Sequence, residues 1–271
     1  MINYFIFIVT MLVYYYVFKP TSTTETLQED KTKQYTSLGG FFVANLILQL
    51  IVNVSVVMNI CKDSGSNNTI KNLLSAAFFT FFPWTFIFGT IVFILILYPG
   101  FKSGFSDVIG YFFIYDSANN ILNQLIDVNK MTEDSSQSSS QDTIIASEAI
   151  QKIYGNTGIL INKIVPDNFL YVWDNILKPL FSKSIKNDKD KLKKLKEELL
   201  QVVIKRDNIG EAMWFLYTGI IVISIIAYNI SSKACANDPA SMQKKYKQYL
   251  DEEQAKIEQK AKQEGTEYTL K

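Results

Sequence analysis

The sequence predicts an all-α, multi-pass transmembrane protein of about four spans, with a helical soluble region between spans three and four and an exposed C-terminal helix. Two observations carry this. Apolar residues gather into long uncharged runs at 2–18, 41–60, 73–98 and 212–230, whereas lysines and acids crowd the intervening segments. The longest run, Leu73 to Tyr98, holds 26 residues without a charge. At ~1.5 Å per residue it makes a helix of about 39 Å, more than the ~30 Å hydrocarbon core of a bilayer.

Residues 1–18 form the first run, INYFIFIVTMLVYYYVF after the initial methionine. It lacks the basic start of a secretory signal, and Tyr14, Tyr15 and Tyr16 replace the small residues a cleavage site needs, so it is expected to stay as an anchor. Residues 19–40 are expected to be a polar loop. Span two, 41–61, carries Asn45, Gln49 and Asn53 at i, i+4 and i+8, one stripe along a helix. Lipid would leave those amides unpaired, so they should face protein. Interhelical packing is the expected role; lining a polar path is the alternative. Span three, 73–98, stops abruptly at Tyr98-Pro99-Gly100-Phe101-Lys102, where proline cannot continue the helix and glycine permits a reversal.

Residues 99–211 form the helical soluble or membrane-surface region. Ser117 is expected to cap a helix whose apolar face is Ala118, Ile121, Leu122, Leu125 and Ile126, lying on the membrane surface or on a partner. Residues 131–142, TEDSSQSSSQD after Met131, read as a disordered linker. Leu160, Ile161, Phe169, Leu170, Tyr171, Trp173, Leu177 and Phe181 are enough for a small core or a docking face. Asp188 to Ile204 is an amphipathic helix with Leu192, Leu195, Leu199, Val202 and Val203 on one face. Residues 212–231 form span four, and 232–271 a charged helical tail in which glutamate alternates with lysine. If all four runs cross, 99–211 lies on the same side as 19–40. The lysine-rich tail leans cytosolic.

Composition narrows the function. A net charge of +1 gives no basic field for nucleic acid. The absence of histidine removes the commonest metal ligand and the usual general base. Neither a phosphate-cradling glycine loop nor a nucleophile with a plausible base is present, so the chain is expected not to be an enzyme, with no catalytic residues, cofactor or metal. Cys61 closes span two and Cys235 follows span four. Two inert thiols are expected there, with a disulfide or acylation as alternatives. No charge lies inside any of the four runs, which lowers the case for a pump or proton relay.

The stretch Tyr98-Pro99-Gly100-Phe101-Lys102-Ser103-Gly104-Phe105-Ser106-Asp107-Val108-Ile109-Gly110-Tyr111 resembles a segment of membrane-associated minor capsid and inner-membrane virion proteins of nucleocytoplasmic large DNA viruses. In those proteins a hydrophobic span runs into a Pro-Gly-aromatic, Phe-Ser, Gly-Tyr pattern. The resemblance implies a structural protein tying an internal viral membrane to the capsid shell, with the bilayer and other capsid or membrane proteins as partners. Pro99, Gly100, Phe101, Lys102, Phe105, Gly110 and Tyr111 are the candidate membrane or partner contacts; association with further copies of the chain stays open. The rival expectation is a small channel or transporter of a cellular organelle membrane, with Asn45, Gln49 and Asn53 along its path.

Overall fold

A computed structural model describes the chain except residues 1, 28, 64–68, 127–156, 234, 236–238 and 267–271. The expected linker at 131–142 lies outside the described residues. Among those described, every regular element is helical apart from one isolated β-bridge between Ile126 and Phe181. The main helices are α1 (Ile2–Phe18), α2 (Asp30–Asp63), α3 (Thr69–Leu97), α4 (Tyr111–Leu125), α5 (Thr157–Lys163), α6 (Phe169–Val172), α7 (Lys183–Lys186), α8 (Lys189–Lys233) and α9 (Pro239–Thr266). Three of them, α2, α3 and α8, are long and apolar enough to cross a membrane, whereas α1 is a shorter apolar helix.

Several boundaries differ from the sequence expectation. The polar segment 19–40 is not all loop, because α2 begins at Asp30 and runs straight through Gly39 and Gly40. Side-chain bonds hold this extension: Lys33 Nζ to Asp30 Oδ1 at 3.0 Å, Gln34 Nε2 to Ser22 Oγ at 2.9 Å, and Ser37 Oγ to the Phe18 carbonyl at 2.7 Å. They offset the cost of two glycines, roughly 1 kcal/mol each. Pro83 does not break α3. A π-helical turn at Trp84–Phe88 follows it and absorbs the proline's missing donor and its clash with the preceding turn. Ser117 is not a cap, since α4 already starts at Tyr111. The amphipathic helix expected at 188–204 and span four are one helix of 45 residues. Between Val202 and Glu211 the only weak helix former of consequence is Gly210, and one glycine is not enough to stop it.

Residue contacts divide the chain into two units. The first comprises 1–45 and 85–222. Its polar half is a helical module whose core draws Ile114, Ala118, Ile121, Leu122 and Leu125 from α4, spaced as one helical face, against Leu195, Leu199, Leu200 and Val203 of α8. That α4 face is therefore inside the protein rather than on a membrane or partner. Leu160, Ile161, Phe169, Trp173, Leu177 and Phe181 join the same core, while Tyr171 points outward. Asp188 caps α8 by accepting the Lys191 N–H at 3.0 Å, and Ser182 donates its backbone N–H to the Leu125 carbonyl at 3.0 Å. The segment between α1 and α2 packs on this module: the Thr24 N–H reaches Glu197 at 3.0 Å, and Gln201 reaches the Ser22 carbonyl at 2.9 Å. The apolar half is aromatic. Phe41 stacks on Tyr14 and Phe215, and Phe88 meets Phe7 and Phe215 with ring centroids 5.4–5.8 Å apart.

The second unit comprises 46–84 and 223–271. Its buried side chains include Val57, Cys61, Ala76, Trp84, Ile223, Ile226 and Ile230, together with Gln49 and Asn53 of α2 and Asn72 and Thr80 of α3. Cys61 and Cys235 are joined by a disulfide, with Cα atoms 5.3 Å apart, so the expected inert thiols are instead paired. The described side chains of α9 between Tyr246 and Lys260 are exposed, as a solvated charged helix should be.

Candidate functional site

The densest polar chemistry among the described residues is a buried ionic node in the first unit, built from three separate stretches of chain. Lys19 follows α1, Lys102 ends the Pro99–Lys102 turn beyond α3, and Asp207 and Glu211 lie one turn apart on α8. Lys19 Nζ donates to Glu211 Oε1 at 2.5 Å, and Lys102 Nζ bridges Glu211 Oε2 at 2.7 Å and Asp207 Oδ2 at 2.9 Å. Tyr15 Oη adds a 3.0 Å hydrogen bond to Glu211 Oε1. All four charged side chains are nearly buried. Two lysines face two carboxylates, so the node is neutral as a whole while every member depends on its partners.

The backbone is brought close enough for this by glycine. A Cβ on Gly210 would come within 2.9 Å of the Lys102 carbonyl oxygen and 2.6 Å of the Ser106 Cβ. A Cβ on Gly110 would meet the Arg206 carbonyl oxygen at 2.7 Å. The 102–110 segment thus runs antiparallel to α8 at near contact distance. Arg206, fully buried, passes beside Gly110 and ties the end of α5 to α8. It donates to the Ile161 carbonyl, to the Ile164 carbonyl at 2.9 Å and to Asn162 Oδ1 at 3.3 Å. Those carbonyls come from the last turn of α5 and the residue just after it, where backbone acceptors lack intrahelical partners.

A cavity of about 190 Å³ adjoins the node, lined among others by Lys19, Lys31, Lys102, Asp167, Asp207 and Asn208. Each of its three lysines is already paired with a carboxylate, Lys31 with Asp167 at 2.8 Å. The arrangement can hold helices together at a membrane boundary. Among the described residues no group of three or more acids, histidines or cysteines is placed to hold a metal ion.

The candidates from the sequence divide sharply. Pro99 and Gly100 line the cavity. Phe101 stacks on Trp214 at 4.7 Å and its carbonyl accepts the Trp214 Nε1–H at 3.1 Å, while Phe105 meets the same indole edge-on at 4.9 Å. Lys102 and Gly110 are internal, in the node and against Arg206, and Tyr111 packs partly on the module core. Several members of the stretch thus form a joint within the protein, while Tyr98, Phe101 and Val108 keep exposed surface. Asn45, Gln49 and Asn53 are each 0% exposed, facing protein as expected, and Asn45 Oδ1 accepts from Thr10 Oγ1 at 3.4 Å.

Lys19, Arg206, Asp207 and Glu211 were not among the sequence candidates. A signal did exist for three members of the node: Lys19 and Lys102 end two apolar runs and Glu211 precedes another, all at a boundary that alternation places on one side. Charges of opposite sign sharing one level near a bilayer tend to pair. Comparison with known proteins finds no matching family model, no related curated protein and no similar solved structure.

Proposed function

We propose that the chain is a structural membrane protein: a four-span anchor that holds a helical module at the surface of a bilayer and acts by contact with partner proteins rather than by chemistry. The observation that carries this reading is the node. It ties α8, which runs from the module into the apolar half, to the chain leaving α1 and α3. A load on the module is thereby shared among three apolar helices. Phe7 supports α1 as one of them, since it packs so tightly on Gly219 that a Cβ there would sit 2.3 Å from its ring.

The setting follows from the resemblance of 98–111: the internal membrane of a large DNA virus particle, tethered through the module to the capsid shell. Complete burial of Asn45, Gln49 and Asn53 favours this over a conduit, which needs those amides within reach of water. Cross-linking with mass spectrometry on the intact source particle or membrane tests it, using the exposed Lys191 and Lys193 as probes. Cross-links to shell proteins in an ordered lattice are expected. Cross-links confined to the chain and its own copies, in a cellular organelle membrane, would replace the tether with the channel reading.

A further inference from the structure

The surface around the node is as unusual as its interior. Val17, Phe18, Tyr98, Val108, Phe112 and Phe113 are each 60–78% exposed and lie on the three chain segments that meet at the node or run on from it. Nothing else in the described chain covers them to any large extent. An apolar surface of this kind needs a partner.

The sequence along one exposed stripe says which partner. Positions 108, 112, 116, 120 and 124 are all exposed, and they read Val, Phe, Asp, Asn, Gln. All five positions face outward, yet the chemistry changes once, between Phe112 and Asp116. Tyr115, also exposed, sits at the change. A surface meeting water throughout has no reason to change there. One crossing from lipid to water does, and tyrosine is the residue expected at the crossing.

Depth gives the same answer. Gly110 lies against Arg206 and Gly210 against Ser106, so the antiparallel register puts Phe112 beside residue 204 of α8. A membrane edge drawn at Ala212, where the apolar run begins, would leave Phe112 about 12 Å outside it at ~1.5 Å per residue. That is beyond a headgroup layer of roughly 5–8 Å. Counted instead from residue 204 to Ile230, α8 covers about 39 Å. This length matches the ~40–45 Å of a bilayer with both headgroup layers.

We propose that Val17, Phe18, Tyr98, Val108, Phe112 and Phe113 form a lipid-contacting collar immersed in the headgroup and upper acyl region, with the membrane surface at Tyr115. The collar continues the lipid-facing side of α3, where Phe93 and Leu97 are likewise exposed. The Lys19–Glu211–Lys102–Asp207 node then lies below the lipid surface, screened by protein and collar. This inference needs only membrane insertion and stands whether or not the partner is a capsid shell.

The test uses the full chain in nanodiscs of phosphatidylcholine and phosphatidylglycerol, with benzoylphenylalanine placed singly at positions 112, 93 and 124. Photolysis and intact-mass analysis are expected to give a phospholipid adduct at 112 comparable to that at 93, and to lose it at 124. An adduct at 93 without one at 112 would overturn the collar and return the membrane edge to Ala212. A dimer cross-link at 112 would overturn it in favour of a second copy of the chain.

Discussion

Two sets of buried polar side chains hold this protein together, and they were formed under different rules. Asn45, Gln49 and Asn53 come from one helix and are neutral. Lys19, Lys102, Asp207 and Glu211 come from four points along nearly 200 residues and are charged. A buried neutral amide without its ideal partner costs little beyond a lost hydrogen bond, and the same helix packed elsewhere finds substitutes. A buried charge without its partner costs several kcal/mol and finds none. The stripe can therefore tolerate slippage, while the node fixes a single register of α8 against the chain leaving α1 and α3.

The largest effect should follow from breaking the node at its centre. Glu211→Gln leaves Lys19 without its carboxylate and Lys102 with one of two. A loss of about 3–5 kcal/mol is expected, the range for removing one member of a buried pair. Denaturant titration of the detergent-solubilised protein reads it. Adding Lys19→Met to the variant removes the stranded charge and should recover part of the loss, with a coupling of about 0.5–3 kcal/mol. If the two changes simply add, the node is a set of independent contacts and sets no register.

The difference between stripe and node also explains what could be read from the sequence. The stripe is a local pattern: three amides at a spacing of four inside an apolar run leave one reading, a face turned to protein. The apolar face of α4 and that of α8 were legible for the same reason. The node is non-local, and its members look like ordinary boundary residues until α1, α3 and α8 are brought to one level. Boundaries failed where a weak local signal met a stronger tertiary one. Gly39 and Gly40 suggest a stop, but Gln34 and Ser37 bond to the chain beside them and carry the helix through. Gly210 suggests a break between module and span; instead it is the place where α8 touches the Lys102 carbonyl region. The disulfide stood only as an alternative to free thiols, because pairing 174 residues apart depends on where α2 and the segment after α8 end.

Those glycines sharpen the comparison with an effect of intermediate size and opposite signs. Alanine improves intrinsic helix propensity by roughly 1 kcal/mol over glycine. At Gly40, where a Cβ would meet nothing within 4 Å, Gly40→Ala should therefore stabilise the protein by up to about that amount. At Gly110 and Gly210 the added carbon meets backbone oxygens that cannot swing aside. Overpacking of this kind costs about 1–3 kcal/mol, so Gly110→Ala and Gly210→Ala should destabilise despite the propensity gain. Thermal unfolding in detergent measures all three. A stabilising Gly210→Ala would mean that α8 and the 102–106 segment have room to separate, and the close approach would lose its role in forming the node.

The smallest effect belongs to the stripe. Asn45→Leu, Gln49→Leu and Asn53→Leu each replace an amide with an apolar side chain, removing both the hydrogen bond and the need for one. Interhelical hydrogen bonds in membranes average ~0.6 kcal/mol with a ceiling near 1.7 kcal/mol. Each variant should fall within that range, with membrane insertion and the Cys61–Cys235 bond retained. Unfolding in mixed micelles provides the stability value, and maleimide reactivity before and after reduction reports the disulfide. A single replacement costing well above the ceiling would show that the amides form a cooperative network comparable to the node, because only coupled groups lose more than their own bond when one is removed. The contrast between a tolerant neutral stripe and a register-setting ionic joint would then fail, and α2 would share with α8 the task of fixing how the helices meet.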